Sequence, residues 1–266
     1  MASIETPNTK ETVLDAVAEV VGGDALATIS PTSKVEKPTA EKVHAAFAPV
    51  CVTQQPIPTN LNRGDVSQLF VGLEKEIPRW VPGSVIKYAA WKAGFESSKD
   101  AEHAAKHLKL AADEWNKADV GVTFEWVEDP KEATFILAHG PRNPGVLASA
   151  FFPNQKDLNI MFVYADAFAT NAWKNSMWKV FMHELGHVLG LRHEFALDED
   201  KNLPEGQRAK LIGVLNQDSV MNYKPTAPEL QKSDIISTRL FYGLRADSEG
   251  NPPNINMTDV VDYTPM

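Results

Sequence analysis

His183-Glu184-Leu185-Gly186-His187-Val188-Leu189-Gly190-Leu191-Arg192-His193 decides the reading of this chain. On an α-helix, residues four apart share a face, so His183 and His187 present their rings to one point. Glu184 lies on the same turn, where its carboxylate can take a proton from a bound water. Gly190 can leave the helix through a left-handed conformation, and the turn brings His193 back as a third ligand. Three neutral imidazoles leave the fourth position of a zinc ion open. An open position that holds water separates a catalytic site from a closed structural one. Zinc lowers the pKa of such a water to about 7 and polarises a carbonyl beside it. The residues therefore predict one catalytic Zn2+ on His183, His187 and His193, with Glu184 as general base, and hydrolysis of an amide. Two histidines around a glutamate often arise by chance. The glycine and the third histidine in register make the pattern far more specific.

The frame around this stretch is ordinary. The chain has 266 residues, 43% hydrophobic and 23% charged, which suits a catalytic domain of about 190 residues plus an N-terminal extension. A net charge of −9 with no basic stripe argues against nucleic-acid binding, and no apolar run is long enough to span a bilayer. Met1-Ala2-Ser3-Ile4-Glu5-Thr6-Pro7 lacks the basic and apolar regions of a secretory signal. A single cysteine excludes an internal disulfide. These features favour a cytoplasmic chain, one exported by an unconventional route, or one that has already lost its signal. A monomer is expected.

Residues 1–75 read as an N-terminal extension or prosegment, and residues 76–266 as the catalytic domain. In the extension, Lys10 to Val21 has helical apolar spacing ended by Gly22-Gly23, and Thr39 to Phe47 suggests a second short helix. Pro31, Pro38, Pro49, Pro56 and Pro58 form the joints; a partly disordered tail is the alternative. In the domain, strands are expected at Val85–Trp91, Gly121–Val127, Ala133–Ala138, Gly145–Phe152 and Leu158–Tyr164. Helices are expected at Ser98–Lys117, Thr170–Leu189 and Ser233–Tyr242. The fold class predicted is α+β: a twisted, mostly parallel mixed sheet with two long helices, and a small irregular C-terminal subdomain ending in a helix.

Ser219-Val220-Met221-Asn222-Tyr223 follows the third histidine. With the long histidine motif, this stretch resembles the methionine turn of the metzincin clan of zinc endopeptidases. Within the clan the chain looks most like the astacin group, because Glu194 follows the third histidine and Tyr223 lies two residues after Met221. The resemblance implies a zincin-like fold over about residues 78 to 245. It implies Met221 as an apolar floor under the metal, and Tyr223 as a switchable extra ligand that swings to stabilise the oxyanion. It also implies that Gly145–Pro153 is an edge strand to which a protein or peptide substrate adds in extended form. Phe195-Ala196-Leu197-Asp198-Glu199-Asp200 departs from the astacin continuation, and the astacin disulfides cannot form here.

Enzymes of this clan are often held latent by a prosegment ligand at the open metal position. Cys51 is the first candidate, and Asp65 in Asn62-Arg63-Gly64-Asp65 a second; a free buried cysteine is the plain alternative. His103 and His107 are four apart on a helix but lack a third ligand nearby, so a solvated helix face is expected. His44 and His139 read as structural or exposed. The rival functions are a catalytically silent zinc-containing peptide-binding protein on the same scaffold, and a purely structural zinc domain.

Overall fold

Strand alternation builds the body of the molecule. The computed structural model describes residues 10–12, 14–15, 26–31, 70–71, 76–193, 209–213, 216–222 and 229–266. In chain order the strands are β1 (Phe70–Val71), β2 (Ile77–Trp80), β3 (Val85–Ala90), β4 (Thr123–Trp126), β5 (Phe135–His139), β6 (Ala148–Ser149), β7 (Asn159–Val163), β8 (Leu191–Arg192), β9 (Lys210–Leu211), β10 (Asn254–Ile255) and β11 (Thr258–Tyr263). The helices are α1 (Ser98–Ala118), α2 (Asn171–Val188) and α3 (Lys232–Gly243). The main sheet runs β4-β3-β5-β7-β6, parallel except for β6, which pairs antiparallel at its edge. The expected α+β architecture with a mostly parallel mixed sheet and two long helices is what forms.

The period of two along the strands sorts residues between two faces. Ile86, Tyr88, Phe135 and Leu137 join the main core with Ala104, Leu108 and Trp115 of α1 and Phe181 and Leu185 of α2. Ala89 and Ile136 join a second cluster with Val127, Ala133 and Leu158. That cluster includes Leu14, fully buried, with Leu26 packed against it. Residues 27–29 also bond to the end of β3, Ile29 N–H to the Ala90 carbonyl at 3.0 Å and Lys92 N–H to the Ala27 carbonyl at 2.8 Å. The described parts of the N-terminal extension are thus built into the body.

Helix α2 starts where expected, with Thr170 Oγ1 accepting from Trp173 N–H at 3.1 Å. Side chains from elsewhere then fix it in place. Trp115 Nε1 donates to the Met182 carbonyl at 2.9 Å and Trp80 Nε1 to the Val188 carbonyl at 2.7 Å, while Tyr242 Oη donates to the Leu189 carbonyl at 3.0 Å. The last two satisfy carbonyls that a helix end leaves without partners.

Three expectations need correction. His103 and His107 do not line a solvated face. They lie in the α1–α2 interface, with rings stacked at 4.1 Å. His103 Nε2–H donates to the Lys174 carbonyl, and His107 Nδ1 accepts from Trp178 N–H, both at 3.0 Å. The alanines around them let the helices approach closely, which leaves His107 buried and His103 half-buried. Second, α3 is not the last element. A hairpin of β10 and β11 follows, and β11 pairs in parallel with β2 from Val260↔Ile77 to Tyr263↔Trp80. Gly145–Phe152 is also mostly loop, with only Ala148–Ser149 paired as strand.

Burial, then the neighbouring His103, pushes His107 down to about 3, against about 6.5 in an unfolded chain. Its folded pKa is depressed, so its contribution to stability is complete above about pH 6.5 and is lost as pH falls toward 3. Urea titrations across that window should show His107→Gln with a flatter fall of stability than wild type; parallel curves would refute the assignment.

Candidate metal centre

The histidine motif closes on itself as its spacing demands. Helix α2 carries His183 and His187 on one face and ends at Leu189. Gly190 then takes φ +90°, and an added Cβ there would lie 2.4 Å from the Pro78 carbonyl oxygen. Only glycine suits both the left-handed backbone and that contact. The chain turns into β8, which pairs antiparallel with β1, and delivers His193. The three Nε2 atoms converge: His183 to His193 at 2.9 Å, and His187 to each of the others at 3.2 Å.

The other ring nitrogens set the chemistry. His183 Nδ1 lies 2.7 Å from the Val220 carbonyl and His187 Nδ1 2.8 Å from the Leu191 carbonyl. A carbonyl only accepts, so both Nδ1 atoms carry the proton and both Nε2 atoms present lone pairs. Burial pushes His183 down to about 4, against a smaller opposing effect of the Val220 carbonyl. Burial, and then the neighbouring histidines, hold His187 and His193 well below the usual histidine range. All three are neutral imidazoles at neutral pH. The lone pairs of His183 and His187, facing one another at 3.2 Å, repel unless a cation lies between them. Nitrogens on a tetrahedral zinc at 2.0–2.1 Å are about 3.3 Å apart, so the donor set fits that ion closely. Among the described residues, His183, His187 and His193 form the group of three such side chains able to hold a metal.

Glu184 is fully buried on the same helical turn. Met221 is fully buried below the helix, and a Cβ added at Gly186 would lie 2.3 Å from its Sδ. Gly186 is therefore the notch that admits the expected apolar floor. Phe152, just beyond the edge strand, sets its ring edge-on to His187 at 5.6 Å. Tyr223, Glu194, Cys51, Asp65 and His44 lie outside the described residues. His139 contacts Phe95 edge-on at 5.3 Å, away from the cluster.

Sequence reasoning missed what holds the methionine turn. Asp234, on the first turn of α3, accepts from Ser219 Oγ at 2.7 Å, Val220 N–H at 2.9 Å and Gln231 N–H at 2.8 Å. Ser219 Oγ in turn accepts from Met221 N–H at 3.1 Å. In the sequence, Asp234 falls at the start of the helix expected at Ser233–Tyr242. Its signal was an acid one turn into a helix just after the methionine turn, which capping alone also explains.

The sheet, the two helices and a three-histidine centre define a metzincin-like architecture. Residues 83–199 match the family model of the matrixins, a metzincin-type family of zinc proteases. The match ends before the methionine turn and does not single out the astacins. No curated protein matches the chain. At a coarse level the match and the histidine cluster support a zinc metalloprotease.

The Gly186 notch makes a direct prediction. Gly186→Ala overpacks the helix against Met221 and should cost about 1–3 kcal/mol. A double-mutant cycle with Met221→Ala should show coupling of about 0.5–3 kcal/mol by urea denaturation. Strict additivity would mean the two residues do not meet.

Proposed function

We propose that the chain is a zinc-dependent metalloendopeptidase that cuts protein or peptide substrates bound in extended form. The observation that supports this reading is the convergence of three buried imidazoles, two of which, His183 and His187, have their remaining protons pinned to main-chain carbonyls. Zinc, when bound, would supply an acidified water and a polarised scissile carbonyl. Glu184 takes the proton of the attacking water and passes it to the leaving amine. Tyr223 is proposed as a fourth protein ligand at rest and as the hydroxyl that donates to the oxyanion. Met221 supports the ligands from below. β6, the outer strand of the main sheet among the described residues, takes the substrate by main-chain pairing.

The division at residue 75 is kept as a functional proposal, with the N-terminal residues controlling access and residues 76–266 catalysing. Latency is a separate proposal, in which the Cys51 thiolate, or the Asp65 carboxylate, closes the open metal position. The chain works as a monomer in this reading. Among the described residues, no helix is long and apolar enough to cross a membrane.

Glu184→Gln should lower kcat on a denatured protein substrate by about 10²–10⁴-fold while zinc content, measured by atomic emission, stays at one per chain. Unchanged turnover would reject Glu184 as the base. If wild type binds zinc and peptide yet never cleaves, the silent peptide-binding reading takes its place. For latency, Cys51→Ala should raise the activity of the full-length protein; equal activity rejects the thiol.

A further inference from the structure

Strand β2 lies against the C-terminal end of the helix that carries two of the histidines, and it is held there by the last strand of the chain. β11 pairs with all four residues of β2, and Val81 N–H continues the ladder to the Tyr263 carbonyl at 2.8 Å. Tyr263 Oη bonds Glu76 at 2.6 Å. Arg79 is the hub. Its guanidinium, 2% exposed, donates to the Phe241 carbonyl at 2.5 Å and the Leu244 carbonyl at 3.1 Å, at the end of α3. It pairs with Asp262 at 2.6 Å. A buried guanidinium without its carboxylate is strongly unfavourable, so Asp262 keeps Arg79 seated on α3.

Two routes lead from this pair to the histidines. Along α3, the helix end held by Arg79 fixes the helix whose first turn carries Asp234, and Asp234 holds Ser219 and Val220. The Val220 carbonyl then orients the His183 ring. Along β2, Trp80 bonds the Val188 carbonyl, and Pro78 lies against the Gly190 turn that leads to His193. None of β2, α3 or β11 falls within the stretch 83–199 that matches the matrixin family model. We infer that the C-terminal strand, acting through the Arg79–Asp262 pair, is a positioning element of the metal centre. This rests on the reading of the three histidines as zinc ligands.

The test uses the full chain carrying Asp262→Asn, with Asp262→Glu as the conservative rescue and Asp259→Asn, exposed on the same strand, as control. In metal-free protein, well below the melting temperature, Asp262→Asn should speed amide exchange at residues 219–222. By chelator competition it should weaken zinc binding about tenfold, and kcat should fall while KM holds. Asp262→Glu should recover most of each effect and Asp259→Asn should show none. A lower melting temperature with unchanged exchange at 219–222 and unchanged zinc affinity would overturn the inference, because the strand would then be merely structural. If wild type takes up no zinc, the metalloprotease reading fails, and the metal-free exchange experiment still judges the strand. Should Asp262→Asn fail to fold, Tyr263→Phe loosens the same strand by losing the hydroxyl's bonds to Glu76 and Gln155, and it must raise the same exchange.

Discussion

Three buried imidazole Nε2 atoms meet within 3.2 Å of one another, and the surrounding structure keeps them there. Left alone, each ring would rotate to bury its lone pair elsewhere. Two of them cannot, because Nδ1–H is tied to the Val220 and Leu191 carbonyls. The two carbonyls belong to different turns, one directly after α2 and one in the methionine turn. The helix supplies the spacing and the turns supply the orientation. Burial adds the protonation state, since an imidazolium would lose its hydration without gaining an anion. The outcome is a preorganised group of three side chains able to hold a cation, its cost carried by the fold.

Holding that geometry requires that α2 neither slide nor rotate. Four side chains from other elements donate to its carbonyls or to its closing residue: His103, Trp115, Trp80 and Tyr242. They reach residues 174, 182, 188 and 189, so the helix is gripped near its start, beside the first ligand and at its end. Each bond is worth only about 1 kcal/mol net. Their value is geometric, because a displacement of the helix would have to break several together.

What was legible in the sequence was local. Helical spacing places His183 and His187 together, Gly190 announces the turn, and the resemblance of Ser219–Tyr223 to a methionine turn implies Met221 as the floor. Strand alternation gave the sheet to within a residue or two at β3, β5 and β7. The unread parts depend on partners far away in sequence. Nothing in Ala101-Glu102-His103-Ala104-Ala105-Lys106-His107 says which carbonyl or amide those rings will find, and the lack of a third ligand nearby with alanine and lysine as neighbours points to water. Thr258-Asp259-Val260-Val261-Asp262-Tyr263 is a β-rich stretch, yet its parallel partner lies at the other end of the domain. Arg79 and Asp262 are likewise paired only by topology. Tyr223 and Cys51 lie outside the described residues, so their roles rest on sequence alone.

Gly186 shows how one position serves several levels at once. In the interior of a helix glycine costs about 1 kcal/mol relative to alanine, and local propensity argues against it in a helix that must be rigid. The structure explains the choice, since the space an alanine methyl would take is filled by the Met221 thioether. That contact lets the methionine turn rise close enough for the Val220 carbonyl to reach His183. A larger residue at 186 would push the turn away and lengthen the 2.7 Å bond that sets the ring. The helix therefore gives up intrinsic stability at the one residue where doing so brings the ligand's second anchor within reach.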